Sequence, residues 1–251
     1  MKEGNLLKIL SIVGFALLLF LIITDQDFSA QEISVGYIEG GGVDAPLAPQ
    51  AFDIAKVKYT VITKDDYKLN TLLAFDVIAI GVMAYDQNPD LQGNFRMLKD
   101  YVSKGGYLVT LDYQQDSTWK ADYFPIPLQL FDDDVEEGGD IEMTDHPIWK
   151  IPNIITKEHF VGWGLQDFVA DAAHEVKAPA KALLIAGGWP VVAGMQSGTG
   201  YAVFSSLQIL QTLARTNNDK IVEVMENFLF WRGPMAVDVK GKLATTWAKL
   251  K

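Results

Sequence analysis

The sequence contains no cysteine. That excludes disulfide staples, thiolate nucleophiles and Cys-ligated zinc together. Histidine is scarce, with three residues, His146, His159 and His174, whose spacing matches no helical or hairpin metal pattern. A structural role is expected for each, and no metal or other cofactor is expected. Positive charge is also short, 21 Lys and Arg against 32 Asp and Glu for a net charge of -11. No basic cluster offsets this locally, which argues against nucleic acid as a partner. Low-complexity tracts, repeats at solenoid periods and apolar runs of about 18 residues or more are missing as well.

What remains is the composition of an ordinary folded protein, 49% hydrophobic and 21% charged over 251 residues. That length accommodates an exported leader and one domain of about 200 residues, a size that buries roughly 70% of its unfolded surface without added staples. The leader is read in residues 1–30. Lys2 and Lys8 flank the start, Ile9 to Ile23 is apolar on every face, and a polar stretch ends in Phe28-Ser29-Ala30. This is the grammar of a signal peptide. The bulky Phe28 before the cleavage position leaves an uncleaved anchor as the alternative. Both readings place the domain outside the cytoplasm, because Lys2 and Lys8 precede the apolar run and Asp25 and Asp27 follow it. Any membrane contact would come through this segment.

After the leader, short apolar runs alternate with helical patterns. Ile33 to Ile38 stops at Glu39-Gly40-Gly41-Gly42, and Tyr59 to Thr63 and Val77 to Gly81 are continuous β-rich runs of the kind covered on both faces of a parallel sheet. Asn88-Pro89-Asp90 supplies an N-cap, a Pro at the first helical position and an acid in the first turn. Leu91, Phe95, Leu98 and Val102 then form one stripe, ended by Gly105-Gly106 before the run Tyr107 to Leu111. The expected fold is therefore α/β, a doubly wound and mostly parallel sheet of flavodoxin-like type. Ala182 to Ala186, Pro190 to Met195 and Tyr201 to Ser205 predict an antiparallel edge meander, and Lys220 to Trp231 a last helix. Between Asp112 and Lys181 mostly loops and short elements are expected, including a solvated acidic loop from Asp132 to Glu137. Residues 233–251 read as a polar, basic, loosely held tail.

Taken together, FDVIAIGVMAYDQNPDL, KGGYLVTLDYQ, DHPIWKIPNIITKEHFVGW and GTGYAVFSSLQ resemble the class I glutamine amidotransferase-like domain that accompanies PIG-L (LmbE-like) deacetylases. The resemblance spans roughly residues 33–232, and its most specific part is Asp145-His146-Pro147, Pro152-Asn153, Ile155-Thr156 and Phe160 to Trp163. It implies a class I amidotransferase-like fold. It also implies that a Cys should follow the Tyr107 to Leu111 strand and a His-Glu pair the Tyr201 to Phe204 strand. This sequence has Asp112-Tyr113-Gln114 and Ser205-Ser206-Leu207 there instead. Loss of nucleophile and base together leaves no activated attack, and the companion deacetylase's His-Pro-Asp-Asp run is absent too.

Glu39, Tyr85, Asp112 and Gln114 follow expected strands and would gather at the carboxyl edge of a parallel sheet, with His146 and Trp163 from the Asp-His-Pro to Gly-Trp block as further candidate ligand residues. His146 is expected to fix a turn with Asp145 accepting hydrogen bonds. Trp149, Trp163 and Trp189 could stack on sugar rings but fit core and lid positions better. Gly40 to Gly42 lacks the Lys-Ser/Thr of a phosphate-binding loop. Two function classes stay open. One is a non-catalytic exported module binding a saccharide, an envelope component or a partner protein in the old active-site cleft. The other is a carbohydrate hydrolase or deacylase using Asp112 or Glu39.

Overall fold

The computed structural model describes residues 33–113, 124–131, 135–136, 140–163, 168–170 and 173–233. Its strands are β1 (Val35–Ile38), β2 (Tyr59–Val61), β3 (Val77–Ile80), β4 (Tyr107–Thr110), β5 (Leu128–Phe131), β6 (Val135–Glu136), β7 (Ile141–Met143), β8 (Phe168–Ala170), β9 (Ala173–Val176), β10 (Lys181–Ala186), β11 (Trp189–Ser197) and β12 (Gly200–Ser205). The α-helices are α1 (Ala48–Ile54), α2 (Leu69–Leu72), α3 (Ala84–Gln87), α4 (Pro89–Ser103), α5 (Ile209–Thr216) and α6 (Asp219–Phe230).

Eight strands form one sheet in the order β2-β1-β3-β4-β12-β11-β10-β7. The five from β2 to β12 run parallel, and β11, β10 and β7 continue antiparallel at one edge. Strand β12 thus joins the two regimes, because it pairs parallel with β4 and antiparallel with β11. The inner strands are apolar on both faces because both faces are covered. Val77, Ala79, Tyr107 and Val109 belong to the core under α1, α5 and α6. Ile78, Ile80 and Leu108 belong to the core under α2, α3 and α4. This is the doubly wound arrangement that the alternating pattern predicts.

The cap of α4 forms as read, with Asn88 Oδ1 accepting from the amides of Asp90 and Leu91 at 3.0 and 3.1 Å. The stripe differs at one position: Leu91, Leu98 and Val102 are buried, Phe95 only half so, and Tyr101 takes the remaining core place. Tyr101 is held there by main-chain bonds, its hydroxyl donating to Tyr107 O at 3.0 Å and accepting from Tyr107 N at 3.1 Å. Helices α1 and α5 are not anticipated from the sequence. Both are short, and their apolar residues read as loop or strand continuation until packed: Phe52, Leu210 and Leu213 are fully buried in the same core. Within the acidic run, Val135 and Glu136 form β6, which pairs with β8, and Val135 is buried. That part is not a solvated loop, and residues 132–134 and 137 lie outside the described set, as do 1–32 and 234–251. Among the described residues no helix is long and apolar enough to cross a membrane.

Candidate functional site

In a parallel sheet the loops that follow the strands share one edge. Here that edge carries Glu39 after β1, the Gly81 to Met83 turn after β3, Asp112 after β4 and Ser206 after β12. Tyr113 N donates to Ser205 O at 3.1 Å and so stitches the ends of β4 and β12 together. These are the two places at which the resemblance drawn from the sequence expects a nucleophile and a base.

Asp112 is fully buried. Its Oδ2 accepts from Leu210 N at 3.1 Å and Gln211 N at 3.2 Å, amides of the first turn of α5 that have no partner within the helix. A carboxylate at a helix N-terminus satisfies orphan donors and the positive end of the helix dipole. The cap therefore comes from a residue far away in sequence, which local patterns do not reveal. On the β12 side, Ser205 Oγ accepts from Leu207 N at 3.1 Å, and Ser206 donates from its amide and hydroxyl to Val191 O at 3.0 and 3.3 Å. Both serines are fully buried. These side chains bond to main chain and hold the turn into α5.

Aromatic rings fill the space beside them. Tyr85, Tyr113, Phe124 and Phe204 are all buried, with ring centroids 4.5 Å apart for Tyr85 and Phe124, 5.1 Å for Tyr113 and Phe204, and 4.8 Å for Phe124 and Phe204. The Tyr85 hydroxyl shares a hydrogen bond with Thr110 Oγ1 at 2.9 Å, and burial pushes its pKa well above the usual phenol value. Tyr37 is raised likewise, chiefly by burial, with the charges of Asp112 and Glu39 adding to the effect. Its hydroxyl lies against Gly81, where any Cβ would overlap it. Glu39 at this edge is exposed, and its main-chain oxygen accepts from Asn88 Nδ2 at 2.8 Å. Gln114 lies outside the described residues. The glycines after Glu39 serve close packing: a Cβ on Gly40 would overlap the Val82 carbonyl, which accepts from Gly41 N at 2.8 Å.

His146 and Trp163 belong elsewhere. His146 Nδ1 accepts from Ile148 N at 3.3 Å, capping the 3-10 turn Pro147–Trp149, and Nε2 lies 3.3 Å from the Tyr201 hydroxyl. Its ring meets Trp231 edge-on at 4.6 Å, and desolvation lowers its pKa. Tyr201 pairs with Tyr107, so this cluster sits at the start of β4, about 16 Å of strand rise from Asp112. The turn role of His146 matches the expectation. Asp145 differs, since its carboxylate pairs with Lys150, which holds its pKa below the usual carboxylate range.

Trp163 is buried, packs on Phe160 at 6.4 Å and donates from Nε1 to His159 O at 2.6 Å. The segment 145–163 is docked onto α6 by a polar network. Asn227 Nδ2 donates to Ile148 O at 2.7 Å and to Asn153 O at 2.8 Å, while its Oδ1 accepts from Asn153 N at 2.8 Å. His159 Nε2 lies 2.8 Å from Glu223 Oε2, and Lys220 Nζ donates to Glu158 O at 2.9 Å and Val161 O at 3.3 Å. Trp149 is buried with this segment, while Trp189 is partly exposed at the start of β11. Among the described residues no group of three or more His, Asp and Glu is placed to hold a metal ion.

Three polar residues of this architecture, Gln208, Gln211 and Asn227, are buried and do not stand out in the sequence. Their one signal is a polar residue inside an otherwise apolar helical stripe.

No family model matches the chain, and no curated protein matches it at a significant level. Among solved structures it is similar to a cytoplasmic protein from Salmonella typhimurium, with 14% identity and a TM-score of 0.48 over 80% of this chain and 98% of that one. It is also similar to a protein from Thermoplasma acidophilum named for GMP synthase, with 8% identity and a TM-score of 0.46 over 79% of this chain and 93% of that one. A β-galactosidase from Bacillus circulans sp. alkalophilus gives 14% identity and a TM-score of 0.43 over 75% of this chain and 31% of that one. These are distant likenesses, and no activity is carried from them to this chain.

Proposed function

We propose that the chain is a non-catalytic amidotransferase-like module, exported or anchored outside the cytoplasm, that recognises a saccharide, an envelope component or a partner protein. One observation carries the reading. Asp112, at the position of the lost nucleophile, is fully buried and bonded to the amides of Leu210 and Gln211. Acyl-transfer chemistry needs a nucleophile, a base and an oxyanion site converging on the substrate. Here the positions after β4 and β12 are enclosed and bonded to main chain instead.

The finer likeness, to the domain that accompanies PIG-L deacetylases, rests on the 145–163 block. Within that block the main chain of Ile148 and Asn153 and the side chain of His159 latch the segment onto α6, a structural use that requires no chemistry. Recognition then falls to exposed groups at the carboxyl edge, with Glu39 the leading candidate.

The test has two arms. Purified full-length protein incubated with glutamine should release no ammonia above buffer. Ammonia release that Asp112→Ala or Ser206→Ala abolishes would refute the non-catalytic reading. On a saccharide and envelope-glycan array, binding weakened by Glu39→Gln is expected. Binding unaffected by Glu39→Gln would move recognition away from the carboxyl edge.

A further inference from the structure

Two of the three histidines lie in the segment 145–163, and each accepts a main-chain amide at Nδ1. Ile148 N donates to His146 at 3.3 Å, and Thr156 N donates to His159 at 3.0 Å. A neutral imidazole that accepts at Nδ1 carries its proton on Nε2. That proton meets the Tyr201 hydroxyl at 3.3 Å in the first ring and Glu223 Oε2 at 2.8 Å in the second. A further proton, taken up on Nδ1, sets a donor against the amide that Nδ1 had accepted.

The two ends of the segment answer that proton differently. At the trailing end the new charge falls beside Glu223, and an imidazolium-carboxylate pair offsets the lost amide bond. The other charged groups there are Lys157 and Glu158 on the segment itself and Lys220 on α6, which bonds to Glu158 O and Val161 O. Trp163 Nε1 adds its bond to His159 O at 2.6 Å. At the leading end, no carboxylate pairs with His146 among the described residues. It faces the Tyr201 hydroxyl of β12, the Trp231 ring after α6 and, on its own segment, Asp145, whose carboxylate is taken by Lys150. Arg232, next to Trp231, is engaged at 3.2 Å by Asp76, the carboxylate that also accepts from Ser34 Oγ at 2.8 Å. A charge on His146 therefore meets burial without a counter-charge, in keeping with its lowered pKa. Trp149 adds to the imbalance, since it is buried and its Nε1 has no acceptor among the described residues. Opening would give that N–H water. Against opening stand the bond from Asn227 Nδ2 to Ile148 O at 2.7 Å and the packing of Trp149 on Phe160 and Phe228.

We infer that the segment is a proton-operated strap: protonating His146 frees residues 145–149 from β12 and α6, while His159 and Glu223 hold residues 156–163 in place. The neutral ring fits the closed strap and the charged ring the open one. The open fraction therefore rises as pH falls below about 6.5, by up to about tenfold per pH unit. Ile151 and Ile154 are already 50% and 76% exposed. Release of Ile148 and Trp149 next to them, and of the Phe228 and Trp231 rings they and His146 cover, makes one apolar surface that forms in acid. The strap stands whether or not the recognition role proposed above is right.

The test follows the indole N–H signals of Trp149 and Trp163 by NMR hydrogen exchange, in full-length protein with isotope-labelled tryptophan. Exchange at about pH 7.5 and about pH 5.5, one unit either side of the free histidine value, is corrected for its intrinsic pH dependence. In wild type the Trp149 signal should lose up to about tenfold of its protection in acid, and the Trp163 signal should keep its own. His146→Asn accepts from Ile148 N without titrating, so Trp149 should stay protected at both pH values. Glu223→Gln removes the charge that answers His159, so Trp163 should loosen in acid as well. Three results overturn the inference: Trp149 protection in wild type that does not fall, Trp149 and Trp163 signals that fall together, or His146→Asn protein that opens in acid as wild type does. The wild-type comparison decides even where a variant does not fold.

Discussion

Asp112 Oδ2 accepts from the amide of Leu210, 98 residues further along the chain, and that bond joins the end of β4 to the helix that follows β12. Asp112→Ala removes the cap of α5, which typically costs about 1–2 kcal/mol and, for a domain of this size, lowers the thermal midpoint by roughly 3–6 °C. Asp112→Asn keeps an acceptor and should lose less. Circular dichroism melts measure both. Equal midpoints for wild type and Asp112→Ala would show that the contact contributes nothing to stability.

Asn227 is the hub of the latch between the 145–163 segment and α6. Asn227→Ala strips partners from Ile148 O, Asn153 O and Asn153 N. Unsatisfied buried groups cost about 1–3 kcal/mol each, with relaxation and water recovering part, so a net loss of about 3 kcal/mol is expected. Hydrogen exchange should speed up at the Asn153 amide before it does in β3 and β4. Uniform loss of protection across the sheet would mean that the segment does not open locally.

The pH dependence of stability should carry a contribution from His146. Desolvation lowers its folded pKa, whereas the unfolded chain titrates near 6.5. Between those values the unfolded state binds the extra proton. The contribution is therefore present above about pH 6.5 and fades as pH falls toward the folded value. His146→Asn keeps an acceptor for Ile148 N but does not titrate, so its midpoint should fall less than that of wild type when pH drops from neutral through this window. Parallel pH profiles for the two proteins would count against the assignment.

Two glycines should respond in opposite directions to alanine. Gly40→Ala drives a Cβ into the Val82 carbonyl, a backbone clash expected to cost about 2–3 kcal/mol. Gly93 lies in α4 with no atom within 4 Å of the added methyl, so Gly93→Ala should stabilise by roughly 0.5–1 kcal/mol. Urea unfolding midpoints decide both. A neutral Gly40→Ala would mean that the Glu39 to Gly42 turn is loosely held.

The parts legible in sequence share a physical cause, periodicity within one element. The runs at 35, 59, 77 and 107 read as strands of a parallel sheet because they are mostly apolar without alternation, and Asn88-Pro89-Asp90 reads as a helix start because its cap is local. Helix α5 is not legible because its cap comes from Asp112, and no window of sequence holds both. The candidate residues divide the same way. Their positions after strands can be read, but whether each side chain faces solvent cannot. Tyr85 and Asp112 turn inward, Glu39 turns outward, and His146 belongs to the opposite end of the sheet beside Tyr201 and Trp231.

From the chain of residues alone follow the doubly wound α/β class, the parallel core with an antiparallel edge, and the absence of cysteine and of a basic cluster. Hydrophobic periodicity and residue identity need no partner from elsewhere in the molecule. Folding adds that the position after β4 is spent on capping α5, that the Asp-His-Pro to Gly-Trp block is a latch on α6, and that Ser34 and Arg232 share Asp76. Each of those depends on partners brought together from distant parts of the chain, where burial turns a polar side chain from a potential reactant into a required hydrogen-bond partner.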